Sequence, residues 1–233
     1  PRYLGARLKP ETPLIDSEGR NFVVGDLLGK PVILLLSYYG CDGTCPTMNS
    51  ELAKVLAKVE RFALGKDYRV LTLSFDGRDT SATAADFLRK TGGVPAQWRD
   101  GWRHAVLSDK DVKGFAGSVG FNFFWSDAAN AFMHPNVLVF LTPQGRVARY
   151  IYGTRMDAKT VELALMDADW EKIASSTAVF DMVTGACYSY NYAEGKYQLN
   201  YSLLAGVGSL LFGLLLMALG AWGYRRKTGR LHA

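Results

Sequence analysis

The chain has 233 residues and no internal repeat with a period on the order of 20 to 50 residues, so one sizeable core is expected and solenoids and propellers are excluded. Its net charge of +5 is local: Arg225, Arg226, Lys227 and Arg230 fall in the last nine residues, and the remainder carries 23 basic against 22 acidic residues. No basic patch suited to a nucleic-acid partner is left.

In chain order, Pro13 to Val23 holds two short apolar pieces around a Gly-containing polar turn, which predicts a hairpin. Lys30-Pro31 leads into Val32-Ile33-Leu34-Leu35-Leu36, an unbroken apolar run that predicts a central strand covered on both faces. Two of the three cysteines, Cys41 and Cys45, follow at once. Leu52, Val55, Leu56, Val59 and Phe62 then recur at helical spacing and predict a helix from about Thr47 to Leu64. Arg69 to Phe75 reads as a strand, Ser81 to Thr91 as a helix and His104 to Ser108 as a strand. Asp109 to Gly120 reads as a helix capped by Asp109.

Phe121 to Met133 is aromatic and irregular, an excursion or hairpin that carries His134. Asn136 to Leu141 and Arg146 to Tyr152 predict paired strands around the turn Thr142-Pro143-Gln144-Gly145, and Asp157 to about Ile173 a closing helix. Early alternation of strands and helices, then a hairpin and a last helix, describes an α/β thioredoxin-like domain over residues 1–173. Residues 174–200 form a Ser-, Tyr- and Asn-rich connector.

Ser202 to Trp222 contains 21 residues without a charge, close to the ~20 that cross a bilayer as a helix. Tyr201, Trp222 and Tyr224 mark its ends, so residues 201–224 are expected to span the membrane. The basic tail, residues 225–233, places the C-terminus in the cytoplasm and the domain in the periplasm or exterior of a bacterial inner membrane. Such an arrangement calls for an export signal ahead of Pro1, removed from this numbering. In an oxidising space Cys41 and Cys45 would pair unless reduced or bound to a metal.

Two cysteines at a strand-to-helix junction serve either dithiol exchange or a soft metal, because the positive end of a helix favours thiolate. Three residues separate them, Asp42, Gly43 and Thr44, one more than in the usual redox spacing, and Gly43 leaves the loop pliable enough to turn both sulfurs toward one point. Copper(I) prefers thiolates, and an imidazole would complete a three-coordinate site. His232 lies on the cytoplasmic tail and His104 in a strand, where a structural role is expected. His134, just ahead of a core strand, is the candidate.

Tyr39 to Pro46, the segment Ser74-Phe75-Asp76-Gly77-Arg78-Asp79-Thr80, and His134 before the strand ending in Thr142-Pro143-Gln144-Gly145 together resemble the Sco/SenC family. The resemblance covers most of residues 10–170 and implies a membrane-anchored thioredoxin-fold protein that inserts copper into cytochrome c oxidase. It implies Cys41, Cys45 and His134 as copper ligands and the binuclear copper site of oxidase subunit II, or another respiratory complex, as partner. A C-terminal anchor departs from the many members tethered at the N-terminus, and Cys187 with its tyrosines looks like a branch with such a tail.

Pro135 in the place of the thioredoxin cis proline would tilt the site toward disulfide exchange. Asp76 and Asp79 match family positions, although Asp79 or Thr80 serves equally as a helix cap. Met48 and Met133 are expected to fill core gaps. The aromatics from Phe121 to Trp125 would shield a metal or dock a partner. Besides copper delivery, a thiol-disulfide oxidoreductase acting on the oxidase's cysteines and a permanent accessory subunit remain open readings.

Overall fold

A computed structural model describes residues 3–153, 156–174, 188–191, 196–199, 205–206 and 208–217. The chain divides into two compact units, residues 1–178 with 192–196, and residues 179–191 with 197–233.

The first unit is built on a seven-stranded sheet in the order β2-β1-β5-β4-β3-β8-β9. Its strands are β1 (Pro13–Asp16), β2 (Asn21–Val23), β3 (Val32–Ser37), β4 (Arg69–Ser74), β5 (Trp102–Leu107), β8 (Val137–Leu141) and β9 (Val147–Tyr152). The three strands β3, β4 and β5 run parallel, and β8 joins β3 antiparallel, which makes β3 an interior strand with a neighbour on each side. Every residue of β3 is buried, as its unbroken apolar run requires. The predicted hairpin is β1 and β2, and it joins the sheet through β1 and β5.

Side chains alternate across β3, so Leu34 and Leu36 point into a core shared with Phe115 and Ala116 of helix α3 (Val112–Ser118) and with Val119, its C-cap. Ser37, on the opposite face, meets helix α1 (Thr44–Leu56) through Asn49. Helices α2 (Ser81–Lys90) and α4 (Ala158–Asp169) flank α1 on that side, α2 against β5 and α4 against β8 and β9. Leu52 of α1 has no exposed surface, which contributes about 1.5–3 kcal/mol at a single position. A short hairpin, β6 (Phe124–Ser126) and β7 (Ala131–Met133), leads into β8.

Several boundaries move from their expected places. α1 begins at Thr44, so Cys45 is inside the helix and Cys41 in the loop ahead of it. It stops at Leu56 rather than Leu64 because Glu162 of α4 accepts the N–H groups of Glu60 and Arg61 and draws the chain off the helical path. Lys110 takes a left-handed backbone at φ 59°, so α3 starts after Asp111, and Asp111 rather than Asp109 caps it by accepting the Gly114 N–H. Met133 does not fill a core gap: it is 46% exposed, whereas Met48 is buried. Within the expected connector, β10 (Tyr188–Asn191) and β11 (Lys196–Leu199) pair into a separate two-stranded sheet.

Cys187, His232, Tyr201, Trp222, Tyr224 and the basic tail lie outside the described residues. Within the expected membrane segment, residues 205–206 and 208–217 are helical. Among the described residues no helix is long and apolar enough to cross a membrane.

Candidate dithiol and metal centre

The C-terminal end of β3 delivers the chain through Tyr38 and Tyr39 to Cys41, and α1 starts three residues later. Gly43 is the N-cap, and no side chain caps the helix there. The Gly43 N–H instead donates to Cys41 Sγ at 3.3 Å. Both cysteines are free thiols with little exposure, 8% for Cys41 and 2% for Cys45.

The two sulfurs are driven in opposite directions. Cys41 is lowered to about 5, chiefly by the hydrogen bond from the Cys45 thiol, with further support from the Gly43 N–H and the Tyr38 hydroxyl against the cost of burial. Cys45 is raised, because its proton is held by Cys41 and its surroundings disfavour a second negative charge. Tyr38 is raised as well, first by burial and then by its bond to Cys41. The loop sulfur is therefore the thiolate and the helix sulfur the thiol.

His134 reaches this pair from the other side. Its Nε2 lies 3.9 Å from Cys45 Sγ. Its Nδ1 lies 3.1 Å from the Pro135 carbonyl, an acceptor, so Nδ1 carries the proton and Nε2 turns its lone pair toward the sulfurs. The ring is framed by Phe75 at 5.0 Å, Phe121 at 5.9 Å and Tyr38 at 6.2 Å between centroids. Cys45, Met48, His134, Pro135 and Asn136 share a cleft too narrow for a water molecule. Among the described residues, no three His, Cys, Asp or Glu groups are already gathered around one point.

Asp79 holds that loop in place. Its carboxylate accepts the Tyr39 N–H at 2.8 Å, the Ser74 hydroxyl at 2.5 Å and the Thr83 hydroxyl at 3.0 Å. Helix α2 is capped by Thr80, so Asp79 is released from capping. Asp76 is buried, and although burial pushes its carboxyl up, Arg78 holds it below the ordinary value. Arg78 then stacks over Trp125 at 5.6 Å and Phe132 at 5.8 Å, which joins the aspartate segment to the β6–β7 hairpin. Within the aromatic stretch the roles divide, since Phe121 packs in the core with Phe75 while Phe124 and Trp125 are exposed.

Beneath the helix lies a polar network with no obvious sequence signal. Asn49 donates to the Cys45 carbonyl at 2.9 Å and to Ser37 at 3.2 Å, and it accepts from Thr72, which in turn accepts from the Trp102 indole. His104 closes the network, its Nε2 3.3 Å from Asn49 Oδ1, and burial lowers it to about 3. His104 is a neutral structural residue, as expected from its strand. No peptide bond in the described chain is cis, so Pro135, just ahead of β8, follows a trans bond.

A buried dithiol at the head of a helix, on a thioredoxin-like sheet, with an imidazole aimed at it, defines a thiol protein equipped to hold a soft ion. The SCO1/SenC family model matches residues 4–166, and the chain belongs to that family. Among solved structures, a protein of Aquifex aeolicus VF5 provisionally described as an electron transfer protein is 32% identical, with a TM-score of 0.65, over 72% of this chain and 95% of that one. Arabidopsis thaliana ScoI with copper bound is 19% identical, with a TM-score of 0.54, over 69% and 96%. BsSco, a member of the Sco family of cytochrome c oxidase assembly proteins, is 17% identical, with a TM-score of 0.58, over 71% and 94%. No match was found among the curated proteins.

Proposed function

We propose that this protein is a copper metallochaperone for a respiratory oxidase, with Cys41, Cys45 and His134 as the three ligands. The observation that carries the reading is the approach of His134 Nε2 to Cys45 Sγ. With the bond lengths zinc takes to the same donors, a sulfur and an imidazole nitrogen at one trigonal ion stand about 3.7 Å apart, so the 3.9 Å seen here needs almost no closure. Two thiolates and an imidazole suit copper(I), and the aromatic frame keeps water from the donors. Copper on Arabidopsis ScoI and the oxidase-assembly role of BsSco support the cargo and the partner.

The acceptor is the binuclear copper site of oxidase subunit II, to which the ion passes by exchange of thiolate and imidazole ligands. The domain faces the periplasm or exterior and is tethered by residues 201–224. The exposed apolar run of Leu210 to Phe212 and Leu214 to Met217 supports the tether.

A second reading rests on the unequal sulfurs. A thiolate at Cys41 beside a protonated Cys45 is the arrangement of an attacking and a resolving thiol, so the same site serves disulfide exchange with the oxidase's cysteines. His134→Ala separates the two. For a chaperone the full-length variant loses copper and the cell loses assembled oxidase, while thiol exchange persists. Oxidase assembled normally by a variant that binds no copper means that delivery is the wrong reading.

A further inference from the structure

A cavity of about 330 Å³ opens at the N-terminal end of β5, whereas the cysteines follow the C-terminal end of β3, parallel to β5 through β4. Its walls come from the β1–β2 turn, the last turn of α2, the loop after α2 and the start of β5. Four arginines line it: Arg20, Arg89, Arg99 and Arg103. Two already have partners, Arg20 with Asp16 and Glu18, and Arg89 with Asp86. Among the described residues no carboxylate lies within ion-pair distance of Arg99 or Arg103.

Arg103 is half-buried and held in place, its guanidinium carbon 4.8 Å above the Phe22 ring. Leu88 and Trp102 give the cavity an apolar wall. His104 also lines it, but its Nε2 donates to Asn49 Oδ1, so the buried Nδ1, unpartnered among the described residues, is a lone pair that accepts and is no donor to an oxyanion. At about 330 Å³ the space matches the lower end of small-molecule sites, roughly 300 Å³, and exceeds a water's ~30 Å³ about tenfold. An inorganic ion alone would leave most of it empty.

We propose that this cavity binds a small organic anion, a phosphate or carboxylate compound with an apolar or planar body. Arg99 and Arg103 take its oxyanion groups, for which the flat guanidinium fork is suited, and the body lies against Leu88 and Trp102. The site is separate from the dithiol and takes no part in holding the ion there.

Phenyl phosphate and phthalate, two dianions on a planar ring, test this with full-length reduced protein in detergent. Each is titrated at constant ionic strength, with binding followed by equilibrium dialysis and by the thermal midpoint. Saturable binding of either compound is expected, and the tighter one identifies the oxyanion the site prefers. The Arg99→Gln/Arg103→Gln pair should weaken binding at least tenfold while the copper content stays unchanged, which verifies the fold. Lys58→Gln/Arg61→Gln removes the same charge from exposed positions outside the cavity and should leave binding intact. Should the double arginine variant not fold, the exposed Arg99→Gln alone still has to weaken binding several-fold. Absence of saturable binding, equal loss in the two paired variants, or undiminished binding without the arginines would overturn the proposal.

Discussion

Replacing Cys45 by Ala in the reduced, metal-free protein removes the largest of four donors that lower Cys41 to about 5, the Cys45 thiol, and leaves the N–H groups of residues 45 and 43 and the Tyr38 hydroxyl. A hydrogen bond to a charged group contributes about 1.5–3 kcal/mol, and one pKa unit corresponds to 1.36 kcal/mol, so the Cys41 midpoint should rise by about one to two units. The rate of alkylation at neutral pH is a poor readout. Four units of lowering from 9.0 to about 5 give roughly a hundredfold more thiolate at pH 7, but with a Brønsted slope of about 0.4–0.5 each thiolate is about 40- to 100-fold less nucleophilic. The two effects nearly cancel, and only the position of the pH profile carries the information. Iodoacetamide alkylation from pH 4 to 9, with mass spectrometry to locate the label, should give a plateau above about pH 6 and a tenfold fall per unit below about pH 5 in the native protein. A midpoint above pH 8, or an unchanged one in Cys45→Ala, would refute the assignment of Cys41 as the thiolate.

Other outcomes follow from the same structure. Asp79→Ala orphans the Tyr39 N–H at about 1–3 kcal/mol while the Thr83 hydroxyl keeps the Thr80 carbonyl, so the thermal midpoint should fall by roughly 2–12 °C in a chain of this size. Asp167→Ala leaves Arg149 charged in a buried setting and should cost about 3–5 kcal/mol by urea unfolding. His104 is held neutral by burial, with its pKa lowered from 6.5 to about 3, so between those values the unfolded chain binds the extra proton and acid destabilises the fold. Stability should fall by up to about 1.4 kcal/mol per pH unit in that window, and His104→Gln should flatten the slope. Under the proposed ligand set, copper would be taken up with both sulfurs deprotonated and His134 neutral, so titration calorimetry in buffers of different ionisation heat should show protons released on binding.

Much of the sheet was legible because its strands are apolar runs of the right length, and Val32 to Leu36 could hardly be anything but central. The candidate site stood out for a different reason: Cys41, Cys45 and His134 are scarce residue types at positions bounded by strong elements, and the structure places His134 Nε2 3.9 Å from Cys45 Sγ. Contacts between distant segments were not legible. The end of α1 is set by Glu162, 102 positions from Glu60, and no pattern near Leu56 announces it. Asp79 and Thr80 read equally as caps because capping is local; Thr80 is the cap, and Asp79 accepts the Tyr39 N–H across 40 positions. The polar network under α1 left a faint trace: Ser37, Asn49 and Thr72 interrupt otherwise apolar faces, and a buried polar residue needs a partner.

The helix begins between the two cysteines, and this gives them unequal freedom. Cys45 belongs to the first turn of a helix whose Asn49 is bonded into the sheet, so it is fixed with the frame. Cys41 rides on a short glycine-ended segment outside the helix. A disulfide brought to this site for exchange would meet the sulfur of Cys41 first, since it is 8% exposed against 2% for Cys45, and the sulfur anchored in the helix would stay behind as the second thiol.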